Sequence, residues 1–268
     1  MAPMHTPADD LELAQRLADA ADAAILPHFR NVAEVANKDA GDFDPVTAAD
    51  TAAEVAMRDI IAQERPHDGV LGEEFQARQS QNGRTWVLDP IDGTRAFIMG
   101  LPTWGVLIAL YDGAEPVLGL MSQPVAGDRF WGSPAGAFWR CHGHERQARC
   151  RKTSVGEAIL ATTSPDLFDA DGLARFRALQ GRVRMTRYGT DCYAYALLAA
   201  GHVDIVMETG LKAVDIAPFV PMIHAAGGAL TDLSGRPLGT DLVDSYNGEA
   251  LAVANPAIVP EVLEIVTA

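Results

Sequence analysis

The stretch Trp86-Val87-Leu88-Asp89-Pro90-Ile91-Asp92-Gly93-Thr94 constrains the fold of this chain more than any other. Residues 85–89 form a short apolar run, the pattern of a buried strand. Pro90 and Gly93 then break it, and residues 94–98 can start a helix. A strand that gives way to a helix within a few residues leaves Asp89 and Asp92 beside backbone amides that lack intrahelical partners. Either the two acids are turn residues, since Asp is common at such places, or they hold something bound there.

The rest of the chain supplies a scaffold for that turn. Apolar residues recur at helix spacing over 9–29, from Leu11, Leu13 and Leu17 to Ile25, and predict one amphipathic helix. Residues 38–45 read as a loop. Thr47 with Asp50 three positions later resembles a capping pair for a helix to about residue 63. Strands at 105–111, 116–121 and 129–132, with turns at Asp112-Gly113 and Gly127-Asp128, predict an antiparallel meander. After residue 152 strand and helix patterns alternate: 159–163, 172–180, 182–188, 193–200, 203–208, 216–226, 229–232 and 260–268. That alternation predicts α/β layering. With no linker near residue 151, parts 1–150 and 151–268 are expected to form one compact unit.

Charge and composition narrow the partners. The 268 residues include 21 Lys and Arg against 36 Asp and Glu, a net charge of −15, which argues against a nucleic-acid partner held by its phosphates. Apolar runs such as 105–111 fall far short of the roughly 20 residues needed to cross a bilayer, so no membrane partner is expected. Residues 1–10 lack an export signal. Three cysteines, Cys141, Cys150 and Cys192, fit a reducing compartment, and a cytoplasmic location is expected.

Four carboxylates fall where strands end or helices begin: Glu73, Asp89, Asp92 and Asp215. Two ionised carboxylates about 4 Å apart repel by roughly 4 kcal/mol at an effective dielectric near 20, a penalty that a hard divalent cation removes. Oxygen donors without His or Cys select Mg²⁺, or Mn²⁺, over zinc. Metal ions so held suit phosphoryl displacement, and Gly93 and Thr94 would offer amides to a phosphate.

The segments Gly72-Glu73-Glu74, Trp86 to Thr94, Val214-Asp215-Ile216-Ala217 and Ala226-Gly227-Gly228 together resemble the inositol monophosphatase superfamily in order and spacing. The resemblance covers nearly the whole chain. It implies a layered αβαβα sandwich, α/β (α+β) in class, with an antiparallel-rich first part and an α/β second part. It also implies Mg²⁺-dependent hydrolysis of a small phosphate monoester and a homodimer. Glu73, Asp89, Asp92 and Asp215, with the carbonyl of Ile91, become the metal ligands. Thr94, with Asp50, becomes the group that orients and activates the attacking water. Asp50 read from the residues alone is equally a helix cap.

Within the superfamily, Asp92 to Phe97, Gly100 to Gly105 and Arg187 to Tyr195 are closer to the histidinol-phosphatase branch. Histidinol phosphate carries an ammonium and an imidazole, and Asp191 and Glu208 supply negative charge for a cation; otherwise they are a helix cap and a strand end. Gly93, Thr94, Arg95 and Arg187 complete the expected substrate contacts, with Arg95 meeting either phosphate or a carboxylate. An inositol, sugar or nucleotide phosphatase, and a non-catalytic binding protein on the same scaffold, are the alternatives. Val214 replaces a tryptophan common in the superfamily, and Pro218 falls just after Asp215. Cys141, His142, His144 and Cys150 lack the paired spacing of a zinc site and are read as hairpin residues.

Overall fold

The computed structural model describes residues 6–31, 36–37, 45–239, 242 and 246–267. The first helix, α1 (Pro7–Ile25), starts from a Thr6 cap that accepts from Asp9 N. It ends four residues before the predicted limit because Pro27 has no N–H to continue the ladder. Two-residue strands β1 (Ala36–Asn37) and β2 (Pro45–Val46) pair antiparallel. The loop read at 38–45 otherwise lies outside the described residues. Helix α2 (Ala48–Glu64) follows its Thr47 cap.

A seven-stranded sheet comes next, in spatial order β3 (Gly69–Gly72), β4 (Arg84–Asp92), β5 (Gly105–Asp112), β6 (Glu115–Gln123), β7 (Asp128–Ser133), β8 (Gly136–Cys141) and β9 (His144–Gln147). Only β3 and β4 run parallel, and the rest is the expected meander, carried two strands further. The short helix α3 (Thr94–Met99) separates β4 from β5. Cys141 pairs with His144 across the β8–β9 turn, where His142 and Gly143 both take positive φ. This is hairpin geometry.

The second sheet has the order β11 (Met185–Tyr188), β10 (Ile159–Thr162), β12 (Ile205–Glu208), β14 (Ala250–Val253) and β13 (Ala229–Thr231). Strands β10, β11 and β12 are parallel, whereas β14 runs antiparallel to both neighbours. The helices of this half are α4 (Ala170–Gln180), α5 (Tyr193–Ala199), α6 (Ala213–Ile216), α7 (Phe219–Ala225) and α8 (Val259–Thr267). The single helix predicted over 216–226 is broken, and Pro218 stands at the break as the cap of α7.

Side-chain alternation along the strands explains the layers. Trp86 and Leu88 of β4, with Val106 and Ile108 of β5, join Leu13, Leu17, Met57 and Ile61 of α1 and α2 in one core. The intervening Val87, Leu107 and Ala109 point the other way, to a core shared with Tyr195, Phe219, Met222, Val206 and Ala252. Leu160, Ile205 and Leu251 face outward to Phe176, Leu179, Val262 and Val266 of α4 and α8. Helix pair, sheet, helices, sheet and helix pair give the αβαβα sandwich, whose central core draws on both halves. Among the described residues no helix is long and apolar enough to cross a membrane.

Candidate active site

Strand β4 runs three residues past the predicted end at Asp89, to Asp92, before the chain turns at Gly93. Asp89 is 1% exposed, and its Oδ1 accepts the Ile91 amide at 3.0 Å. Pairing with β5 slips between Asp89 and Asp92, so the strand bulges at Pro90 and Ile91. Gly93 then takes φ 84°, and a Cβ there would lie 3.1 Å from the Asp191 Cβ and 3.2 Å from the Trp104 Cα. Glycine is needed on both counts. From α3, the Thr94 hydroxyl donates to the Ile91 carbonyl at 3.0 Å.

Two more segments converge on this turn. Asp215, in the first turn of α6, accepts the Lys212 amide at 2.7 Å. Oxygens of Asp89, Asp92 and Asp215 lie within 4.8 Å of one another. Asp92 Oδ2 accepts the Cys192 amide at 3.0 Å, which ties the second half of the chain to the first. Glu73 follows β3 and meets both Asp89 and the Lys212 ammonium, the latter at 3.0 Å. Its backbone is set by buried Glu54, whose Oε2 accepts the Glu74 amide at 2.7 Å while its Oε1 accepts from Arg58 Nε. A Cβ on residue 72 would strike Glu54 Oε1 at 1.9 Å, so Gly72 is required for this approach.

These side chains line a cavity of about 460 Å³, with Ile91, Gly93, Thr94, Arg95, Asp191 and Glu208 also in its wall. Asp191 stands at φ 44°, a conformation Asp tolerates better than most residues, and accepts from Thr103 Oγ1 at 2.8 Å. Glu208, at the end of β12, accepts the Thr163 amide at 2.6 Å and its hydroxyl at 3.0 Å, with Thr162 Oγ1 at 3.3 Å. Arg95 is exposed, and its charge acts on Asp191, so it meets a carboxylate of the cavity itself. Asp50 is buried and is not among the cavity-lining residues, its Oδ2 accepting the Thr47 amide at 2.9 Å and hydroxyl at 2.5 Å. Arg187 is exposed on the edge strand β11 and does not line the cavity.

The electrostatics of the acids differ by position. Burial pushes the Asp89 carboxyl well above its ordinary range, and the charges of Glu73, Asp92 and Asp215 push it further. Asp92 rises for the same reasons, with burial first and then Asp215 and Asp191. Burial also lifts Glu208, to about 8, although its threonine partners pull it down. Three hard oxygen donors crowded together, with Asp89 and Asp92 at raised proton affinity, fit a divalent cation, which would relieve their repulsion. Asp89, Asp92 and Asp215, with Glu73 and the Ile91 carbonyl beside them, can hold it.

Residues 7–266 match the Inositol monophosphatase family. The chain belongs to this family. Over 223 residues it is 43% identical to the bifunctional phosphatase IMPL2, chloroplastic, of Arabidopsis thaliana; the match covers 82% of this chain and 63% of that protein. It is 39% identical over 232 residues to a histidinol-phosphatase of Mycobacterium tuberculosis, covering 85% of this chain and 88% of the relative. Among solved structures, an inositol monophosphatase from Zymomonas mobilis superposes with a TM-score of 0.85 at 40% identity, covering 99% of this chain and 100% of that one. The expected αβαβα fold is therefore that of the family.

Two residues of the site escaped the sequence reading. Glu54 sits mid-helix, and only the turn it holds 20 residues later reveals its role. Lys212 carried one local signal, a base three positions before Asp215 in an otherwise apolar stretch.

Proposed function

We propose that this family member hydrolyses L-histidinol phosphate to L-histidinol and phosphate, with Mg²⁺ held by Glu73, Asp89, Ile91, Asp92 and Asp215 and Mn²⁺ as a substitute. The observation that carries the substrate assignment is the second pair of acids in the cavity wall. Asp191 and Glu208 have their own hydrogen-bond donors in the protein, and a cationic end of the substrate set beside them would favour their ionised forms against the burial that lifts both. Histidinol phosphate has such an end and inositol phosphates have none. The relatives named histidinol-phosphatase support the same reading. Hydrolysis of this ester is a step of histidine biosynthesis, and we place the enzyme there, as a cytoplasmic homodimer.

When bound, the cation supplies Lewis acidity toward the phosphoryl oxygens and the attacking water. Thr94 donates to Ile91, which leaves its hydroxyl lone pairs to accept from that water and aim it along the line of the ester bond. Asp50 acts behind it as the proton's destination. The water oxygen bonds to phosphorus as its proton leaves, the P–O ester bond breaks, and the leaving alkoxide takes a proton from a second, solvent water to become the alcohol. Gly93 and Arg95, both in the cavity wall, are the remaining substrate contacts of this reading. Because the cavity takes walls from both sides of residue 150, parts 1–150 and 151–268 work as one unit.

Inositol phosphate is the second reading, favoured by the full-length likeness to the Zymomonas enzyme. A phosphate-release screen of the purified chain separates the two. With Mg²⁺, histidinol phosphate is expected to exceed inositol, sugar and nucleotide phosphates in kcat/KM, and excess chelator to abolish release. A preference for inositol phosphate would reverse the order of the readings.

A further inference from the structure

Lys212 touches the acidic cluster twice. Its backbone amide donates to Asp215 Oδ2, and its ammonium reaches Glu73 Oε1, 139 residues away in the other half of the chain. The two ends of the residue differ in freedom. The backbone is fixed by the bond to Asp215, and its neighbour Leu211 donates to the Gly248 carbonyl at 3.1 Å. The side chain is 53% exposed, against 13% for Glu73, and its four-carbon stem can swing the ammonium away without disturbing the core.

Glu73 therefore has two claims on its charge. On one side it faces Asp89 and shares a hydrogen bond with it; on the other it neutralises Lys212. Asp89, Asp92 and Asp215 form the mutually close group of oxygens, and the ammonium pairs with the carboxylate at its border. A divalent ion placed between Glu73 and Asp89 sets a second cation on the carboxylate that already pairs with the ammonium, and like charges brought into one site repel.

We propose that Lys212 is a tethered cation that competes with the divalent ion for Glu73, and so sets the metal concentration at which the site fills. The inference rests on the metal reading given above and adds to it a named antagonist. Lys212 is a positioning residue in this scheme, since it acts through Glu73. It keeps the acidic cluster partly neutralised before metal arrives, and its release on loading leaves a mobile positive charge at the rim where an anionic ester enters.

The test is Mn²⁺ binding to the chain without substrate, followed by electron paramagnetic resonance of the free ion. Lys212→Gln keeps most of the side chain's length and loses the charge; about three- to tenfold tighter Mn²⁺ binding is expected from removing an ion pair at a part-buried site. Lys212→Arg keeps the charge and is expected to bind Mn²⁺ within about twofold of the original chain. A general change in the field around the site would act whatever occupies position 73. In the Glu73→Gln background, therefore, Lys212→Gln is expected to change Mn²⁺ affinity little, which is the signature of direct competition in a double-mutant cycle. Unchanged or weaker binding by Lys212→Gln, or an equal gain in both backgrounds, overturns the role of Lys212 while leaving the metal site standing. Failure of the unaltered chain to bind Mn²⁺ overturns the metal reading and this one with it.

Discussion

At one side of the cavity, Asp89, Asp92 and Asp215 each accept a backbone amide, yet stand so close that their oxygens fall within 4.8 Å. At the other, Glu208 accepts from Thr163 and Thr162, and Asp191 from Thr103. Both groups are acidic, and burial lifts the pKa of Asp89 and Asp92 in the first and of Glu208 and Asp191 in the second. They differ in what else lifts them. Neighbouring carboxylates push Asp89 and Asp92 further, whereas threonine donors hold Glu208 back and the Thr103 hydroxyl and the Arg95 charge hold Asp191 back. The first group needs an outside charge to be stable in its ionised form, and the second is largely satisfied by the protein. A cavity built this way separates the part that holds a cation from the part that meets one carried by a ligand.

Removing a member of the trio gives the largest expected effect. Asp89→Asn is expected to lower kcat on the order of 10³-fold and to weaken Mg²⁺ binding, because it takes away one of the three mutually close carboxylates and the most buried of them. In chelator the sign of its stability effect reverses. Asp89 has a folded pKa above its unfolded one, so its favourable contribution is complete below the unfolded value and disappears as pH rises through the folded value. At pH 8 without metal, Asp89→Asn should therefore melt at a higher temperature than the unaltered chain. A lower melting temperature in chelator would show that the trio is not under repulsion and would break the comparison.

Thr94→Ala tests the water-orienting part, with an expected fall in kcat of about 10²-fold, the lower end of the range for general acid–base groups. Mn²⁺ affinity is expected to stay within about twofold, since the lost bond goes to the Ile91 carbonyl and no charged ligand is removed. Asp50→Asn is the companion variant. A comparable fall in kcat assigns Asp50 a part in proton transfer, and an unchanged kcat reduces it to the α2 capping box formed with Thr47.

The two groups were unequally legible in the sequence, for physical reasons. Asp89, Asp92 and Gly93 stand within five residues at a strand end, where local punctuation carries the information, and α1 declares itself by its buried positions at helix spacing. Strand β9, His144–Gln147, is polar and exposed throughout, so it offers no alternation to read. Strand β14, Ala250–Val253, is an apolar run too short to tell from helix. The Lys212–Glu73 pair depends on bringing together residues 139 apart, which no local pattern reports. Asp191 was visible as an acid near a helix start, but its contact with Gly93 was not, because that approach arises only when the two halves share a core.

The contact with Gly93 shapes the next experiment. Asp191 occupies a left-handed conformation, so Asp191→Asn is a cleaner substitution than alanine: it keeps the backbone preference and removes the charge. A hydrogen bond to a charged group contributes about 1.5–3 kcal/mol, so kcat/KM for histidinol phosphate is expected to fall about 10- to 100-fold. Hydrolysis of a small aryl phosphate, whose aryl end carries no charge, should change little. Equal losses on both substrates would place Asp191 in the service of the trio, and would return the inositol phosphate reading to first place.

The smallest effect is thermal and separates the two groups most directly. Burial raises Glu208 from 4.5 to about 8, so the folded chain holds this proton more tightly than the unfolded one. Its stabilisation is then complete below pH 4.5 and is lost as pH climbs toward 8, by an amount on the order of a few kcal/mol. Glu208→Gln removes that dependence, so its melting temperature relative to the unaltered chain should rise by several degrees between pH 5 and pH 8. The gain should be the same with and without Mg²⁺, because the donors that hold Glu208 are Thr162 and Thr163 and not the trio. The Asp89→Asn gain, in contrast, should vanish once Mg²⁺ neutralises the cluster. If Mg²⁺ also erased the Glu208→Gln gain, the two sets of acids would be one electrostatic unit, and Glu208 would have to be read as part of the cation's surroundings instead of the substrate's.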